Sequence, residues 1–222
     1  MREGLLRVEL SGEDGVAVLS PLGALVPSTY TRMRDVLLKT VLAQPTAVVV
    51  DLSDLTVDRD TAASVFHGVW TQVADWPGVP ILLAAPPHPV DWSLPSYATV
   101  QDALAAVGAP PTRWVVRAPL PLRGSCGFAR LLAEQTCRVW KLTGISDEAA
   151  DIADGLVGLA ARGIRPTVVF EWWRGRLVVG ASEDALVPCD PLDLRYAAMG
   201  ANRCGWSTTW SDGTLMWAVL NA

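Results

Sequence analysis

The length, composition and charge of this chain narrow the classes of protein to which it can belong. Its 222 residues suffice for two domains of about a hundred residues each. Half of them are hydrophobic and only 18% are charged, as in folded globular proteins. The net charge of −5 argues against a nucleic-acid-binding surface, which needs a basic stripe. No apolar run approaches the roughly 20 residues of a membrane span, and the chain opens without the apolar core of a signal peptide, so we expect a cytoplasmic protein that binds neither membrane nor nucleic acid.

Residues 48–66, VVVDLSDLTVDRDTAASVF, carry the most informative pattern of the first half. The β-branched run at its start predicts a buried strand over residues 47–52. Apolar residues three and four apart predict a helix from about Thr61 onward: Ala62, Val65 or Phe66, Val69 and Val73. Four carboxylates lie in or beside the turn between them: Asp51, Asp54, Asp58 and Asp60. A hydroxyl at the position of Thr61 normally caps the helix, and a phosphate added there would meet the positive end of the helix dipole.

This segment resembles the signature of the STAS family, the anti-sigma-factor antagonists. In that family a strand ending in Asp-Leu-Ser leads to an Asp-Ser-Ser-Gly or Asp-x-Ser-Gly turn, whose serine is phosphorylated by a partner kinase. The resemblance implies that Thr61 is the candidate phosphoacceptor, with Arg59 in place of the family's aspartate and Ala62 in place of its glycine. The stretches GVAVLSPLGALVPSTYTRMRDVL, VPILLAAPP and YATVQDALAAV resemble the family's first hairpin and helix, its next strand, and its last strand and helix. The similarity spans roughly residues 4–110.

The resemblance therefore implies an α/β domain over residues 1–110, with a STAS-type mixed sheet and helices. It also implies a surface that docks another protein, formed by the turn and the second helix: Asp54, Asp58, Arg59, Asp60, Thr61, Ser64 and His67. Trp70, Trp76 and Trp92 could extend such a contact surface, because aromatic residues are favoured there.

A proline-rich segment separates the two halves of the chain. Four prolines stand within residues 109–123 and forbid a continuous helix. Between them lie Trp114, Val115 and Val116, which are apolar enough to be docked. We expect residues 111–122 to form a short, semi-rigid connector that could carry an edge strand.

The second half, residues 123–222, has its own order of elements. We predict a helix over residues 125–140 with Phe128, Leu131 and Leu132 facing inward, and a second helix from Ser146 to Gly163. Two hairpins follow, with turns at residues 174–175 and 212–213, and a helix over residues 191–203 stands between them. This order predicts helices on one face of a mixed or antiparallel sheet, a small α+β two-layer sandwich.

GFARLLAEQTCRVWKL and RCGWSTTWSDGTLMWAV in this half resemble the histidine-kinase-like (GHKL) ATPase family, in its anti-sigma serine-kinase branch. The similarity spans roughly residues 119–220 and implies a GHKL-type domain. One helix of that family carries a glutamate that orients attack, an asparagine that holds magnesium, which needs hard oxygen ligands, and a histidine at the end of the motif. The aligned residues here are Gly155, Leu159 and Gly163.

The other nucleotide-binding segments of that family are also altered in this chain. The adenine-binding turn corresponds to a segment with carboxylates but no glycines, including Glu183 and Asp184. The phosphate-binding lid corresponds to a short, glycine-free stretch that ends near Arg195, although a phosphate-binding nest needs unobstructed backbone. The resemblance thus implies a vestigial nucleotide site and a pseudo-ATPase: no catalytic residue, no metal and no cofactor.

The cysteines and histidines predict no further chemistry. Cys126, Cys137, Cys189 and Cys204 are far apart and form no Cys-x-x-Cys, so we expect neither zinc nor disulfides and interpret them as small buried hydrophobic residues. His67 and His88 have no nucleophile and carboxylate nearby in the sequence.

Three hypotheses for function follow. The first is a non-catalytic regulatory or scaffold protein of partner-switching signalling, whose partners are regulatory proteins such as an anti-sigma factor with kinase activity or a phosphatase; a homodimer is also possible. The second is an active serine/threonine kinase that uses Glu183 or Asp184 for adenine. The third is a small-molecule sensor whose cleft is lined by tryptophans, although alternate tryptophans on hairpins usually fill a core: Trp172, Trp173, Trp206, Trp210 and Trp217.

Overall fold

The chain folds into two compact units, each with its own sheet. The structure, a computed structural model, describes residues 6–57, 60–86, 94–110, 112–161 and 166–222, without the side chains of residues 13 and 60–63. The units are Met1–Pro110 and Pro111–Ala222. Within the described ranges, no helix is long and apolar enough to cross a membrane.

The first unit contains a mixed sheet and three helices. Its strands are β1 (Arg7–Glu13), β2 (Val16–Leu25), β3 (Val48–Asp51), β4 (Leu55–Val57), β5 (Ile81–Ala84) and β6 (Ser96–Tyr97). Its helices are α1 (Pro27–Leu42), α2 (Asp60–Val73) and α3 (Val100–Ala105). The predicted strand over residues 47–52 and the predicted helix from about Thr61 are thus confirmed as β3 and α2.

The strands of the first unit follow the order β1-β2-β3-β5-β6. β1 and β2 are antiparallel and are joined by Asp14 and Gly15, whose φ angles of 47° and 79° fit a tight hairpin turn. β2, β3, β5 and β6 are parallel neighbours. β4 extends the sheet beyond β3 by pairing in parallel with the end of β2. The mixed sheet expected for this half is therefore confirmed.

Consecutive residues of the central strands supply two separate cores. Val50 of β3 and Leu83 of β5 pack with α1 and α2, and the buried α2 side chains there are Val65, Phe66, Val69 and Val73. Val49 and Leu82 point to the opposite face and pack with Ala103 of α3. Because β3 and β5 are covered on both faces, their sequences contain no polar alternation.

The second unit places helices on one face of an antiparallel sheet. Its strands are β7 (Trp114–Pro119), β8 (Thr167–Trp173), β9 (Arg176–Glu183), β10 (Arg203–Thr208) and β11 (Thr214–Asn221), in the order β10-β11-β9-β8-β7. Its helices are α4 (Ser125–Trp140), α5 (Ser146–Ala160) and α6 (Pro191–Ala197), with a short 3-10 turn at Thr143–Ile145. Side chains of α4, α5, β8, β9 and β11 form one core. The two-layer order is as expected; its membership of the GHKL type stays a prediction.

The proline-rich segment contains β7, the edge strand of the second sheet, which pairs with β8 along its whole length. Arg113, just before β7, forms an ion pair with the fully buried carboxylate of Glu171 on β8, and its guanidinium lies 4.7 Å from the ring of Trp173. A buried carboxylate requires such a partner, because desolvation without one is costly. The start of the second unit is therefore fixed to its sheet.

Two details of the second unit differ from the sequence prediction. Phe128 and Leu131 do not face inward: they are 56% and 62% exposed, and Leu132 is half-buried. The buried face of α4 consists of smaller residues instead: Ser125, Ala129, Ala133, Thr136 and Cys137. The third helix, α6, ends at Ala197 rather than at Arg203, which begins β10.

Gly205 leaves room for a buried tryptophan ring on the neighbouring strand. It lies opposite Trp217 in the pairing of β10 with β11, and a Cβ at Gly205 would lie 2.8 Å from Cε2 of the Trp217 ring. Trp217 is 2% exposed. The ring therefore occupies the space that any other residue at position 205 would need.

We expect Gly205→Ala to lower the free energy of unfolding by about 1–3 kcal/mol, since the Trp217 ring must move. Gly127→Ala is the matched control: position 127 is in α4, with no atom within 4 Å of an added Cβ. That change should stabilise the helix by roughly 0.5–1 kcal/mol. Urea denaturation followed by circular dichroism measures both, and equal effects of the two substitutions would contradict the contact.

Candidate functional site

The turn after β3 is held in place by backbone and carboxylate hydrogen bonds. The Asp51 carboxylate accepts the Ser53 N–H at 3.1 Å, and the Gly23 N–H donates to the Asp54 carbonyl at 3.2 Å. Leu52 is fully buried, whereas Asp54 is exposed. The buried Leu52 side chain thus anchors the turn, and the Asp54 carboxylate is exposed to solvent.

The predicted phosphoacceptor lies in the first turn of α2. The helix begins at Asp60, so Thr61 is its second residue, where backbone N–H groups have no partner within the helix. Asp58 and Arg59 lie outside the described residues, as do the side chains of Asp60 and Thr61. Whether Thr61 acts as a cap or as a phosphoacceptor stays a prediction.

One face of α2 is exposed beyond that first turn. Ser64 and His67 lie on it, and the His67 ring is 5.6 Å from the ring of Trp70, which is 39% exposed. Trp76 is buried, and Trp92 lies outside the described residues. Of the two described tryptophans suggested for a contact surface, Trp70 is therefore exposed and Trp76 is not. The structure brings Ser64, His67 and Trp70 together; we call them the α2 face.

A cavity of about 650 Å³ lies between α5 and α6 in the second unit. Two residues of the expected vestigial site, Gly155 and Leu159, line it, while Gly163 lies outside the described residues. Its other lining residues were not singled out from the sequence: Asp151, Asp154, Gly158, Asp193, Tyr196, Ala197, Met199 and Gly200. We call this cavity the acidic groove.

Close contact of α6 with Gly155 shapes the acidic groove. A Cβ at Gly155 would lie 2.7 Å from the carbonyl oxygen of Ala197 and 2.9 Å from its Cα. These backbone atoms cannot move aside for an added Cβ as the end of a flexible side chain could. The backbone of α6 thus leaves no room for a side chain at residue 155.

Carboxylates dominate the charge of the acidic groove. Asp151 forms an ion pair with Arg130 of α4. Asp154 and Asp193 form no ion pair with any residue in the described part of the chain. Burial, and then the neighbouring Asp154 carboxylate, raise the pKa of the Cys126 thiol above its usual value. A second set of negative charges, such as the phosphates of a nucleotide, would be repelled here.

The remaining predicted nucleotide-site residues do not line the acidic groove. Glu183 is buried at the end of β9, and its carboxylate accepts the Asp184 N–H at 3.1 Å. Asp184 is exposed. Arg195 is exposed on α6 and lies near Cys204, whose thiol pKa is raised by burial and lowered in part by that guanidinium. Glu183 thus holds the backbone of its own turn, and Gly155 and Leu159 are the described residues of the predicted site that line the acidic groove.

The cysteines are only partly as expected. Cys137 is buried, but Cys126, Cys189 and Cys204 are half-buried, and all four are free thiols. Burial raises the pKa of Cys137 as well. Among the described residues, no group of His, Cys, Asp or Glu side chains has the geometry of a metal site. His88 lies outside the described residues.

The tryptophans of the sensor hypothesis divide into two groups. Trp173 and Trp217 are buried in the sheet, as expected for core residues, whereas Trp206 and Trp210 are exposed and Trp172 is half-buried. None of the five lines the acidic groove. The sensor hypothesis, in which they line a vestigial nucleotide cleft, stays a hypothesis.

Comparison with known proteins gives structural matches. No family model and no curated protein matches the chain. An anti-sigma factor antagonist from Mycobacterium paratuberculosis is 24% identical, with a TM-score of 0.39 and coverage of 46% of this chain and 94% of that one. An RsbS variant from Moorella thermoacetica is 18% identical (TM-score 0.39; 46% and 94%). The anti-sigma factor antagonist SpoIIAA in its unphosphorylated form is 15% identical (TM-score 0.37; 46% and 97%).

The three alignments cover less than half of the present chain. Two of the three structures are named as anti-sigma factor antagonists. The histidine-kinase-like character of the second half has no counterpart among the three and stays a prediction.

Two glycines of α5, three residues apart, allow a direct test of the α5–α6 contact. We expect Gly155→Ala to destabilise the second unit by about 1–3 kcal/mol, because the Ala197 backbone must move. At Gly158 an added Cβ would be 3.7 Å from Sγ of Cys126, an ordinary contact, so Gly158→Ala should be neutral or slightly stabilising. Urea denaturation and amide hydrogen exchange of α6 measure the difference, and faster exchange in both variants would refute a contact specific to Gly155.

Proposed function

We propose that this chain is a non-catalytic regulatory or scaffold protein of partner-switching signalling. It acts, like an anti-sigma-factor antagonist, by binding another regulatory protein, such as an anti-sigma factor with serine-kinase activity or a phosphatase. The observation that supports the non-catalytic part is the contact between Ala197 and Gly155, which leaves no room for a side chain at the position that the resemblance aligns with the family's glutamate.

The first unit supports a docking role through the α2 face. Val65, Phe66 and Val69 are buried beneath it and hold the helix on the sheet. His67 and Trp70 are presented on the outer side, and exposed aromatic residues are typical anchors of protein interfaces. A partner can thus bind this face without disturbing the core.

The position of Thr61 supports regulation of that binding by charge. A phosphate on Thr61 would add about two negative charges one helical turn before Ser64. The exposed aromatic pair, His67 and Trp70, lies further along the same helix. The exposed Asp54 carboxylate has the same sign. Phosphorylation would therefore turn the docking surface strongly negative and would exclude an acidic partner.

The second unit supports the absence of kinase activity. A kinase must hold magnesium with oxygen ligands and accept the phosphates of ATP. At the acidic groove, Leu159 offers no such ligand, and no group of carboxylates among the described residues has the geometry of a metal site. A separate kinase must therefore supply any phosphate that Thr61 receives.

We expect no binding of Mg-ATP or Mg-ADP up to millimolar concentrations. Isothermal titration calorimetry and thermal shift of the full chain measure this, with an active anti-sigma serine kinase as the positive control. Micromolar binding would overturn the pseudo-ATPase assignment and favour the kinase hypothesis.

We expect an active anti-sigma serine kinase to phosphorylate Thr61 in trans. Mass spectrometry should find one phosphate, absent in Thr61→Ala and retained in Ser64→Ala, while the chain alone with Mg-ATP remains unmodified. A chain that stays unmodified with every such kinase would reduce Thr61 to a helix cap.

We expect Trp70→Ala to weaken binding of such a kinase by at least about tenfold, because a central aromatic anchor is lost. Trp206→Ala is the matched control, since Trp206 is 37% exposed but belongs to the second unit. Surface plasmon resonance measures both affinities. Equal losses would show that the α2 face is not the docking surface.

A further inference from the structure

The acidic groove is a preformed surface feature of the second unit. Its volume of about 650 Å³ lies within the roughly 300–1,000 Å³ range of ligand-binding sites. Asp190 caps the first turn of α6 by accepting the Leu192 N–H at 2.7 Å, and the Ala197 backbone rests on Gly155. The cap holds the first turn of α6, and the Ala197 contact fixes α6 against α5, so the groove does not depend on a ligand for its shape.

The negative charge of the acidic groove determines which kind of ligand it favours. Asp151 is already paired with Arg130, but Asp154 and Asp193 face the acidic groove without an ion-pair partner among the described residues. Asp154 belongs to α5 and Asp193 to α6, so an occupant of the acidic groove meets negative charge from both helices. Cationic groups are attracted to such a space, and anionic ligands are repelled.

The apolar surface beside these carboxylates points to a peptide. Tyr196 and Met199 line the groove and are 78% and 67% exposed, and the neighbouring Leu192 on α6 is also exposed. Leu159 is half-buried within the groove. A small cation would leave most of this apolar surface in water. An amphipathic segment would cover it while its basic side chains reach the carboxylates.

We propose that the acidic groove docks a basic amphipathic segment of a partner protein. Its lysine or arginine side chains pair with Asp154 and Asp193, and its apolar side chains pack on Tyr196 and Met199. The proposal goes beyond the proposed function: it concerns α5 and α6 alone and holds whether or not the α2 face binds a kinase.

The test uses the full chain and a fluorescein-labelled model helix built of leucine and lysine, with a leucine and glutamate helix as its counterpart. Fluorescence anisotropy should show binding of the lysine peptide alone, with an affinity that falls as salt is added. Asp193→Asn should weaken it about three- to fivefold, as expected for one exposed ion pair. Asp14→Asn, which removes the same charge from the exposed β1–β2 turn, should leave it unchanged.

A second pair of variants tests the apolar contact. Tyr196→Ala should weaken binding by at least about threefold, whereas Leu10→Ala, at an exposed position of β1, should not. Equal effects of Asp193→Asn and Asp14→Asn would overturn the proposal, since attraction would then reflect net charge alone. So would full displacement of the peptide by equimolar spermidine, which would assign the acidic groove to small cations. Circular dichroism of each variant confirms that the fold is intact.

Discussion

Small residues at helix contacts determine how the second unit is built. Ala129 and Ala133 of α4 are buried in the same core as Ala149 and Ala153 of α5, and short side chains allow two helix backbones to approach closely. Gly155 likewise has no side chain, which allows the backbone of α6 to lie directly against α5. The space left beside that contact is the acidic groove. Its position, its fixed shape and the absence of a functional side chain at residue 155 all follow from the same close approach.

A different constraint places the candidate switch of the first unit. β3 lies between β2 and β5 and is buried on both faces, so its side chains cannot serve a partner. The chain can present polar groups only where β3 ends, in the turn at Asp54 and at the start of α2. Burial of the apolar side of α2, at about 1.5–3 kcal/mol for each fully buried large side chain, holds the exposed side in position. A rigid sheet thus supports an exposed polar surface.

Much of the fold could be predicted from local patterns because those patterns are strong here. The run Val48-Val49-Val50 has no polar position, which indicates a strand covered on both faces, and the helix pattern of α2 begins where the structure begins it. The buried face of α4 could not be predicted. Phe128 and Leu131 satisfy helical spacing as well as Ala129 and Ala133 do, and only the complementary alanines of α5 decide between the two faces. Hydrophobicity favours the larger pair, whereas close packing favours the smaller one.

The acidic groove was also missed from the sequence, because local spacing does not show which helices lie next to each other. Asp151, Asp154, Gly155 and Gly158 recur along α5 with helical spacing, but the sequence does not show that Asp193 and Tyr196 of α6 face them. Carboxylates of two helices line the space, and their negative charge attracts cations and repels free anions. Such a surface is suited to recognising positive charge.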